Sequence, residues 1–346
     1  MSKKQVFIVS QVYHGCQSYL EKLLPSVSFK VMDLSFGHPK IFNRNAKLTK
    51  SDLDQLEAAE VMILDNVFLP DVFYSLPNLK YVQCTYAGMD GVLEVIKTRM
   101  KESNGQEPPF VASRFSGESF ANLMFEYCLS HLIANQRGFV SHIINQHDKN
   151  WNLLKEFTPK NPRLISELTI SVLGVGSIGA PLLRLFNNYG CKTFAFGRHE
   201  KQQDFLNKNG IDFYSTELED VLKDTDCVIN LLPHSPETAG LLNDRLSLCQ
   251  NKPIFINIGR GSIIDESYLI QALNSDYIST AVLDVFQTEP LPPDNELWVH
   301  PKVIITPHVA AQRRLGDLAL MFAENYKKFN ENSLPLLNQI DWLHDY

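Results

Sequence analysis

No two cysteines in this chain stand close enough to clasp a metal or staple a short loop. The six, at positions 16, 84, 128, 191, 227 and 249, are dispersed without a Cys-x-x-Cys pair. Several fall within apolar runs, so reduced core thiols are expected rather than disulfides or zinc. Histidines 14, 38, 131, 142, 147, 199, 300 and 344 show no metal-like pairing, and no bound metal is expected. Long apolar stretches are missing too, which argues against a membrane span. Met1-Ser-Lys-Lys runs straight into the strand-like Val6-Phe-Ile-Val9, leaving no room for a signal-peptide core, and a cytoplasmic protein is expected. Positive charge is in short supply: 32 Lys and Arg against 39 Asp and Glu give a net charge of −7. With no basic stripe to neutralise phosphates, no nucleic-acid partner is expected. Internal repeats and low-complexity tracts are absent as well.

What the chain does have is a regular alternation of short β-rich runs and helical stretches. At 346 residues it exceeds one comfortable core and should form two domains. In the first, strands are expected at Val6 to Ser10, Phe29 to Leu34, Val61 to Asp65, Lys80 to Thr85 and Phe110 to Ser113. A long periodic helix, Ser119 to His142, and a proline-containing loop, Thr158 to Arg163, follow. Six further strands are expected at Leu168 to Leu173, Lys192 to Phe196, Cys227 to Leu231, Ile254 to Ile258, Thr280 to Leu283 and Val303 to Ile305. Leu315 to Asn330 reads as a helix returning to the first domain. The expected fold is α/β, two doubly wound parallel sheets, with residues 1–115 and 312–346 in one domain and 116–311 in the other.

Between the first two strands of the second domain stands Gly174-Val-Gly176-Ser177-Ile178-Gly179. A tight turn needs the first glycine, close approach of backbone N–H groups to a pyrophosphate needs the second, and packing of helix on strand needs the third. Preceded by a strand and opening a helix, the motif predicts a dinucleotide site of Rossmann type. In an NAD site an acid at the end of the second strand accepts hydrogen bonds from the ribose hydroxyls. Here that strand ends in Gly197-Arg198-His199, with Lys201 beyond. An acid would repel a 2′-phosphate, whereas glycine leaves room and a guanidinium can bind the phosphate bidentately. NADP(H) is therefore expected over NAD(H); the alternative is that Arg198 is a solvated loop charge.

Downstream, three polar residues each follow an apolar strand: Arg260 in Ile256-Asn-Ile-Gly-Arg-Gly261, Glu289 in Leu283-Asp-Val-Phe-Gln-Thr-Glu-Pro290, and His308 in Thr306-Pro-His-Val-Ala310. Open α/β sheets bind ligands outside the carboxyl ends of their strands, so the three can converge on a nicotinamide. Reducing a 2-oxo acid takes a hydride, a proton for the nascent alkoxide and a cation for the carboxylate. His308, with an ordinary pKa near ~6.5, suits the proton donor. Glu289 would orient and charge it, and Arg260 would grip the carboxylate and polarise the carbonyl. Taken singly each has a bland reading, as a structural histidine, a loop charge or a turn residue; their order after successive strands is what carries the assignment.

With these residues in place the chain resembles the D-isomer-specific 2-hydroxyacid dehydrogenase family over nearly its whole length. The likeness lies in Leu79-Lys-Tyr-Val-Gln-Cys-Thr-Tyr-Ala-Gly-Met-Asp90, the glycine fingerprint, Leu231-Leu-Pro-His-Ser-Pro-Glu-Thr238, Asn257-Ile-Gly-Arg-Gly261, Leu283-Asp-Val-Phe286 and Pro307-His-Val-Ala310. It implies a flavodoxin-like substrate domain beside the Rossmann cofactor domain. It implies catalytic roles for Arg260, Glu289 and His308, and substrate carboxylate held by the N–H groups of Ala87 and Gly88 in a cleft between domains. Asp284 would lie near the nicotinamide carboxamide. Leu232, Pro233, Thr238 and Ile258 would run along the cofactor with Ser177, Ile178, Arg198 and His199, and Arg260 and His308 would reach it too. A homodimer through the long helix is implied as well. Within the family the chain is most similar to the glyoxylate/hydroxypyruvate reductase A branch, which favours NADPH, on Phe286 to Pro293, Trp298 to His308 and the closing Asn338 to Tyr346.

One departure is Phe125 in Phe120-Ala-Asn-Leu-Met-Phe-Glu-Tyr127, where a small residue is expected; it bears on the shape of the substrate pocket. Tyr86 and Met89 are expected either to line that pocket or to be core, and His234 to be a loop residue. The expected activity is NADPH-dependent reduction of small 2-oxo acids, glyoxylate or hydroxypyruvate first and a bulkier acid such as phenylpyruvate second. A dinucleotide-sensing protein of corepressor type is the alternative from another class, and the chain shows none of the extra tails that reading needs.

Overall fold

The structure, a computed structural model, describes residues 4–34, 43, 45–151, 161–312 and 314–342. His38, His344, residues 158–160 of the expected proline loop and residues 343–346 of the closing segment lie outside the described residues. The chain divides into two compact units, Met1–Ser116 with Arg313–Tyr346, and Gly117–Gln312.

In the first unit five parallel strands, β1 (Lys4–Val9), β2 (Val27–Val31), β3 (Val61–Leu64), β4 (Tyr81–Cys84) and β5 (Val111–Ser113), lie in the order β2-β1-β3-β4-β5. This is the flavodoxin-like order. A parallel sheet covered on both faces needs near-continuous apolar strands, and Val-Met-Ile-Leu of β3 is buried at every position. The helix Leu315–Asn330 joins this unit through a polar clasp set in the core. Fully buried Asn325 donates from Nδ2 to Gln83 Oε1 (3.2 Å), Ser113 Oγ (3.1 Å) and the Leu337 carbonyl (3.1 Å), and accepts from Leu337 N–H (2.8 Å). Each polar atom there is matched, which is what makes its burial tolerable. Beyond the strand ends, the buried Asp65 carboxylate accepts from Ser10 Oγ (2.6 Å), Gln11 N–H (2.7 Å) and Thr85 Oγ1 (2.6 Å), tying together the segments after β1, β3 and β4.

In the second unit seven parallel strands, β6 (Thr169–Leu173), β7 (Lys192–Phe196), β8 (Phe213–Ser215), β9 (Cys227–Asn230), β10 (Ile254–Asn257), β11 (Thr280–Leu283) and β12 (Val303–Ile305), run in the order β12-β11-β10-β9-β6-β7-β8. From β6 the chain winds one way to β7 and β8, then back past β6 to β9 and onward. The crevice beyond the carboxyl ends of β6 and β9 is therefore the topological switch point, where such sheets bind ligands.

Two expectations need correction here. The sequence predicts six strands in this unit and the sheet has seven. The extra one, β8, is a three-residue edge strand paired with β7 alone, so one half-buried face suffices and no apolar run announces it. The helix expected from Ser119 to His142 is two: Glu118–Arg137 stops at Gly138, whose left-handed backbone (φ 63°, ψ 30°) turns the chain into Phe139–His147.

All six cysteines are buried free thiols. Burial pushes Cys16, Cys84 and Cys249 up to about 12 and Cys191 up to about 11, which leaves them inert as nucleophiles at neutral pH. Among the described residues no helix is long and apolar enough to cross a membrane, and no cluster of His, Cys, Asp or Glu could hold a metal.

Candidate active site

The three fingerprint glycines are required for three different reasons. Gly174, just past β6, has φ +105°, a region closed to most side chains, and a Cβ there would stand 3.2 Å from the Leu231 carbonyl. A Cβ on Gly179 would lie 1.9 Å from the Gly174 carbonyl oxygen, so only glycine lets the helix Gly179–Asn188 begin against its own strand turn. At Gly176 a Cβ meets nothing within 4 Å, and the residue is exposed. The protein itself does not need a glycine there; a ligand approaching the backbone does. Open space at the second glycine, beside the N-terminus of a ten-residue helix, fits a dinucleotide pyrophosphate. Ser177 and Ile178 are half-buried at this turn, with Ile178 in the cap position.

The remaining expected cofactor contacts fall along the same sheet edge. Leu232 N–H donates to Asn230 Oδ1 (3.0 Å), and buried Thr238 donates from Oγ1 to the Pro233 carbonyl (2.6 Å). Ile258 is buried in the apolar core of the unit. Arg198 and His199 are exposed, and Arg198 makes no ion pair with the described residues. The glycine before them has a different reason from the one the sequence suggests. A Cβ on Gly197 would fall 2.4 Å from the Tyr214 hydroxyl, so the space freed at residue 197 is taken by that ring rather than left for a phosphate.

His308 sits just past β12 with φ 55°, its N–H donating to the Asp284 carbonyl (2.9 Å). Its Nδ1 lies 2.9 Å from Glu289 Oε2, while Glu289 Oε1 accepts from Phe286 N–H (3.1 Å). The imidazole is half exposed and the carboxylate mostly covered. Arg260 directs Nη1 to the Gly259 carbonyl (2.7 Å), and its own carbonyl accepts from Asn257 Nδ2 (3.1 Å). A Cβ on Gly261 would fall 2.0 Å from the Phe286 carbonyl carbon. The Arg260 loop thus packs backbone to backbone against the segment that carries Glu289.

Asp284 is buried, and its carboxylate accepts three hydrogen bonds from the protein. It accepts from Thr306 Oγ1 (2.5 Å), Val309 N–H (2.8 Å) and Ala310 N–H (2.9 Å), holding the turn that bears His308. Thr306 has one hydroxyl proton and gives it to Asp284, so the Tyr127 hydroxyl, 2.6 Å away, donates to Thr306. Burial pushes the Tyr127 phenol well above its ordinary range and lowers His131, whose ring lies 4.5 Å from Tyr127. Tyr127, Thr306 and the buried pair Asn230 and Asn257 (2.9 Å apart) are site-shaping residues not singled out in the sequence. A signal exists for the asparagines: two apolar strands, Cys-Val-Ile-Asn and Ile-Phe-Ile-Asn, both end in one. Phe125 packs on Phe186 (ring centroids 4.9 Å) and Tyr189 (6.4 Å), at the far end of the fingerprint helix, so its size is matched there. His234 Nδ1 meets Ser262 Oγ at 2.8 Å.

In the first unit, Asn66 fixes the Tyr86–Met89 loop. Its Nδ2 donates to the carbonyls of Tyr86 (3.1 Å) and Gly88 (2.8 Å), and its Oδ1 accepts from Tyr86 N–H (3.1 Å). Arg114 Nη1 adds a bond to the Ala87 carbonyl (3.3 Å). The N–H groups of Ala87 and Gly88 donate to nothing among the described residues. Met89 is fully buried in the core of the unit. Tyr86 is half-buried, edge-on to Tyr13 at 5.8 Å.

Comparison with known proteins follows the same lines. Residues 129–310 match the model of the D-isomer specific 2-hydroxyacid dehydrogenase NAD-binding domain. The chain is similar, at 27% identity and TM-score 0.75 over 99% of its length and 100% of the other chain, to a D-isomer specific 2-hydroxyacid dehydrogenase family protein of Aeromonas salmonicida. It is 25% identical, TM-score 0.76 over 99% of both chains, to the D-isomer specific 2-hydroxyacid dehydrogenase of Xanthobacter autotrophicus solved with NADPH and MES. Its fold also matches, at 24% identity and TM-score 0.73 over 99% of both chains, an NADPH-dependent glyoxylate/hydroxypyruvate reductase of Sinorhizobium meliloti solved with NADP and sulfate.

Proposed function

The chain belongs to the D-isomer specific 2-hydroxyacid dehydrogenase family, and on that premise we propose that it reduces small 2-oxo acids, glyoxylate and hydroxypyruvate foremost, to D-2-hydroxy acids with NADPH. The observation that carries the reading is the His308–Glu289 pair, 2.9 Å apart on a turn anchored by Asp284, on the sheet whose fingerprint fits a dinucleotide. With Nδ1 committed to Glu289, Nε2 is left for a substrate. In the protonated imidazole Nδ1–H donates to Glu289, and Nε2–H delivers its proton to the carbonyl oxygen as that oxygen becomes an alkoxide. Arg260, steadied through Gly259 and Asn257, binds the substrate carboxylate and polarises the carbonyl. In the first unit, the undonated N–H groups of Ala87 and Gly88 are suited to a carboxylate as well. When bound, the dinucleotide supplies the hydride. Exposed Arg198, with no internal carboxylate to satisfy it, is the contact for a 2′-phosphate.

A steady-state screen of 2-oxo acids with NADPH and with NADH tests this reading. Glyoxylate and hydroxypyruvate should give the highest kcat/KM, and NADPH should exceed NADH. Best turnover of a bulky acid such as phenylpyruvate would replace the substrate assignment, and an NADH preference would remove the role of Arg198.

The helix Phe139–His147 leaves Phe139, Val140, Ile143 and Ile144 exposed together. Four large apolar side chains on one nine-residue helix are more than a solvated surface ordinarily carries. A second copy of the chain is the occupant this reading supplies, as a homodimer. Sedimentation should give twice the 39.4 kDa chain mass, and a monomer at micromolar concentration would refute it.

A further inference from the structure

The segment after β7 carries Arg198, the charge assigned above to a 2′-phosphate, and two independent restraints hold it from the edge strand β8. Gly197 N–H donates to the Ser215 carbonyl (3.3 Å), extending the β7–β8 ladder by one step. Two residues on, the Tyr214 hydroxyl donates to the His199 carbonyl (2.5 Å). The Tyr214 ring also fills the place of a Cβ at residue 197, with Oη 2.4 Å and Cε2 and Cζ 3.3 Å from that position. Gly197 is not among the positive-φ glycines. Its backbone would accept any residue, so it is the tyrosine that demands glycine there. β8 is in turn secured by Phe213 against Phe194 (5.1 Å) and by Ser215 Oγ on Asp220 Oδ2 (3.0 Å).

We propose that Tyr214 is a positioning residue for cofactor choice: by pinning His199 and excluding a side chain at residue 197, it holds Arg198 where a 2′-phosphate is bound. This rests on the reading of Arg198 given above. A guanidinium discriminates in favour of phosphate only if its fork is presented in one geometry, and a loop that must be ordered on binding loses affinity to that ordering. The loop also carries a competing group. Glu200 lies close enough to raise the Tyr214 pKa, second to burial among the causes. A carboxylate is what binds the ribose hydroxyls in NAD sites and repels a 2′-phosphate. A released loop would no longer hold Arg198 and Glu200 in one arrangement, so Tyr214 favours NADPH by keeping the cation fixed.

The test measures Kd for NADPH and for NADH on the full-length protein by fluorescence titration. The variants are Y214F, R198A, G197A and G197A/Y214F. Y214F keeps the ring and loses only the bond to His199; NADPH should bind roughly 3- to 10-fold more weakly while NADH changes less than twofold, a split that general loosening of the domain would not produce. G197A should weaken NADPH by clashing with Oη, and G197A/Y214F should recover part of the loss because the nearest atoms become ring carbons at 3.3 Å. An unchanged NADPH-to-NADH ratio in Y214F, with R198A still losing NADPH affinity, would overturn the positioning role alone. Unchanged NADPH affinity in R198A would overturn both that role and the phosphate assignment beneath it.

Discussion

Replacing His308 by alanine is expected to lower kcat on the best 2-oxo acid by about 10²- to 10⁴-fold, the usual contribution of a positioned general acid, while the Kd for NADPH changes less than threefold. The expectation follows from how the structure divides labour. Among the described residues the imidazole hydrogen-bonds to Glu289, whereas the turn that carries it is held by the Asp284 carboxylate through Val309 and Ala310 N–H. Removing the ring should therefore leave the turn in place. One complication is the backbone, since φ at His308 is 55° and alanine is strained in that region by roughly 1–2 kcal/mol. Asparagine tolerates the left-handed conformation well, so H308N separates loss of the proton donor from strain. Both variants should fall alike in kcat. Turnover near wild type in H308N would take His308 out of the mechanism, and a loss confined to H308A would mean that strain alone disturbs the site.

Glu289 should behave differently from His308. Its Oε1 is tied to Phe286 N–H and only Oε2 reaches the imidazole, so E289Q keeps both contacts geometrically possible and removes the carboxylate charge beside Nδ1. In E289Q kcat on the best 2-oxo acid should fall, but by less than in H308A, because the ring keeps a partner while the charge opposite it is lost. The loss acts through the histidine, so E289Q added to H308N should cost little more.

Much of this site can be read in the sequence because parallel sheets announce themselves. Strands buried on both faces must be apolar runs, and functional residues must follow them at the carboxyl ends, so Arg260, Glu289 and His308 stand out by position alone. β8 does not, since an edge strand of three residues needs no such run. The break at Gly138 was hidden because a glycine inside an amphipathic pattern costs little enough to be passed over, and only its left-handed φ ends the helix. Asp284 shows a limit of another kind. The family resemblance implies a place near the nicotinamide carboxamide, and the structure adds what the sequence does not show, bonds to its carboxylate from Thr306, Val309 and Ala310. Sequence order can bring a residue to the site; which of its neighbours takes its lone pairs depends on the three-dimensional return of the chain. The same holds for Gly197, where the sequence shows a missing side chain and the structure shows the tyrosine, seventeen positions on, that requires it.

The fingerprint glycines offer a sharper separation of folding from binding than any catalytic residue does. G179A places a Cβ 1.9 Å from the Gly174 carbonyl oxygen and 3.1 Å from its carbon, and the atoms in the way are backbone. No rotamer can relieve that contact. The helix Gly179–Asn188 must shift away from β6, against a face that buries Ala180, Leu182, Leu183 and Phe186. A cost of about 3 kcal/mol, at the upper end for overpacking, corresponds to a Tm lower by about 6–12 °C for a domain of this size. NADPH binding should be lost with it, because the displaced helix carries the N–H groups proposed to meet the pyrophosphate. G176A has the opposite profile. Its Cβ meets nothing within 4 Å of protein, so Tm without cofactor should stay within a degree or two of wild type while NADPH affinity falls by at least tenfold. Equal destabilisation by both substitutions, or full NADPH affinity in G176A, would show that the open face at Gly176 is not where the dinucleotide lies.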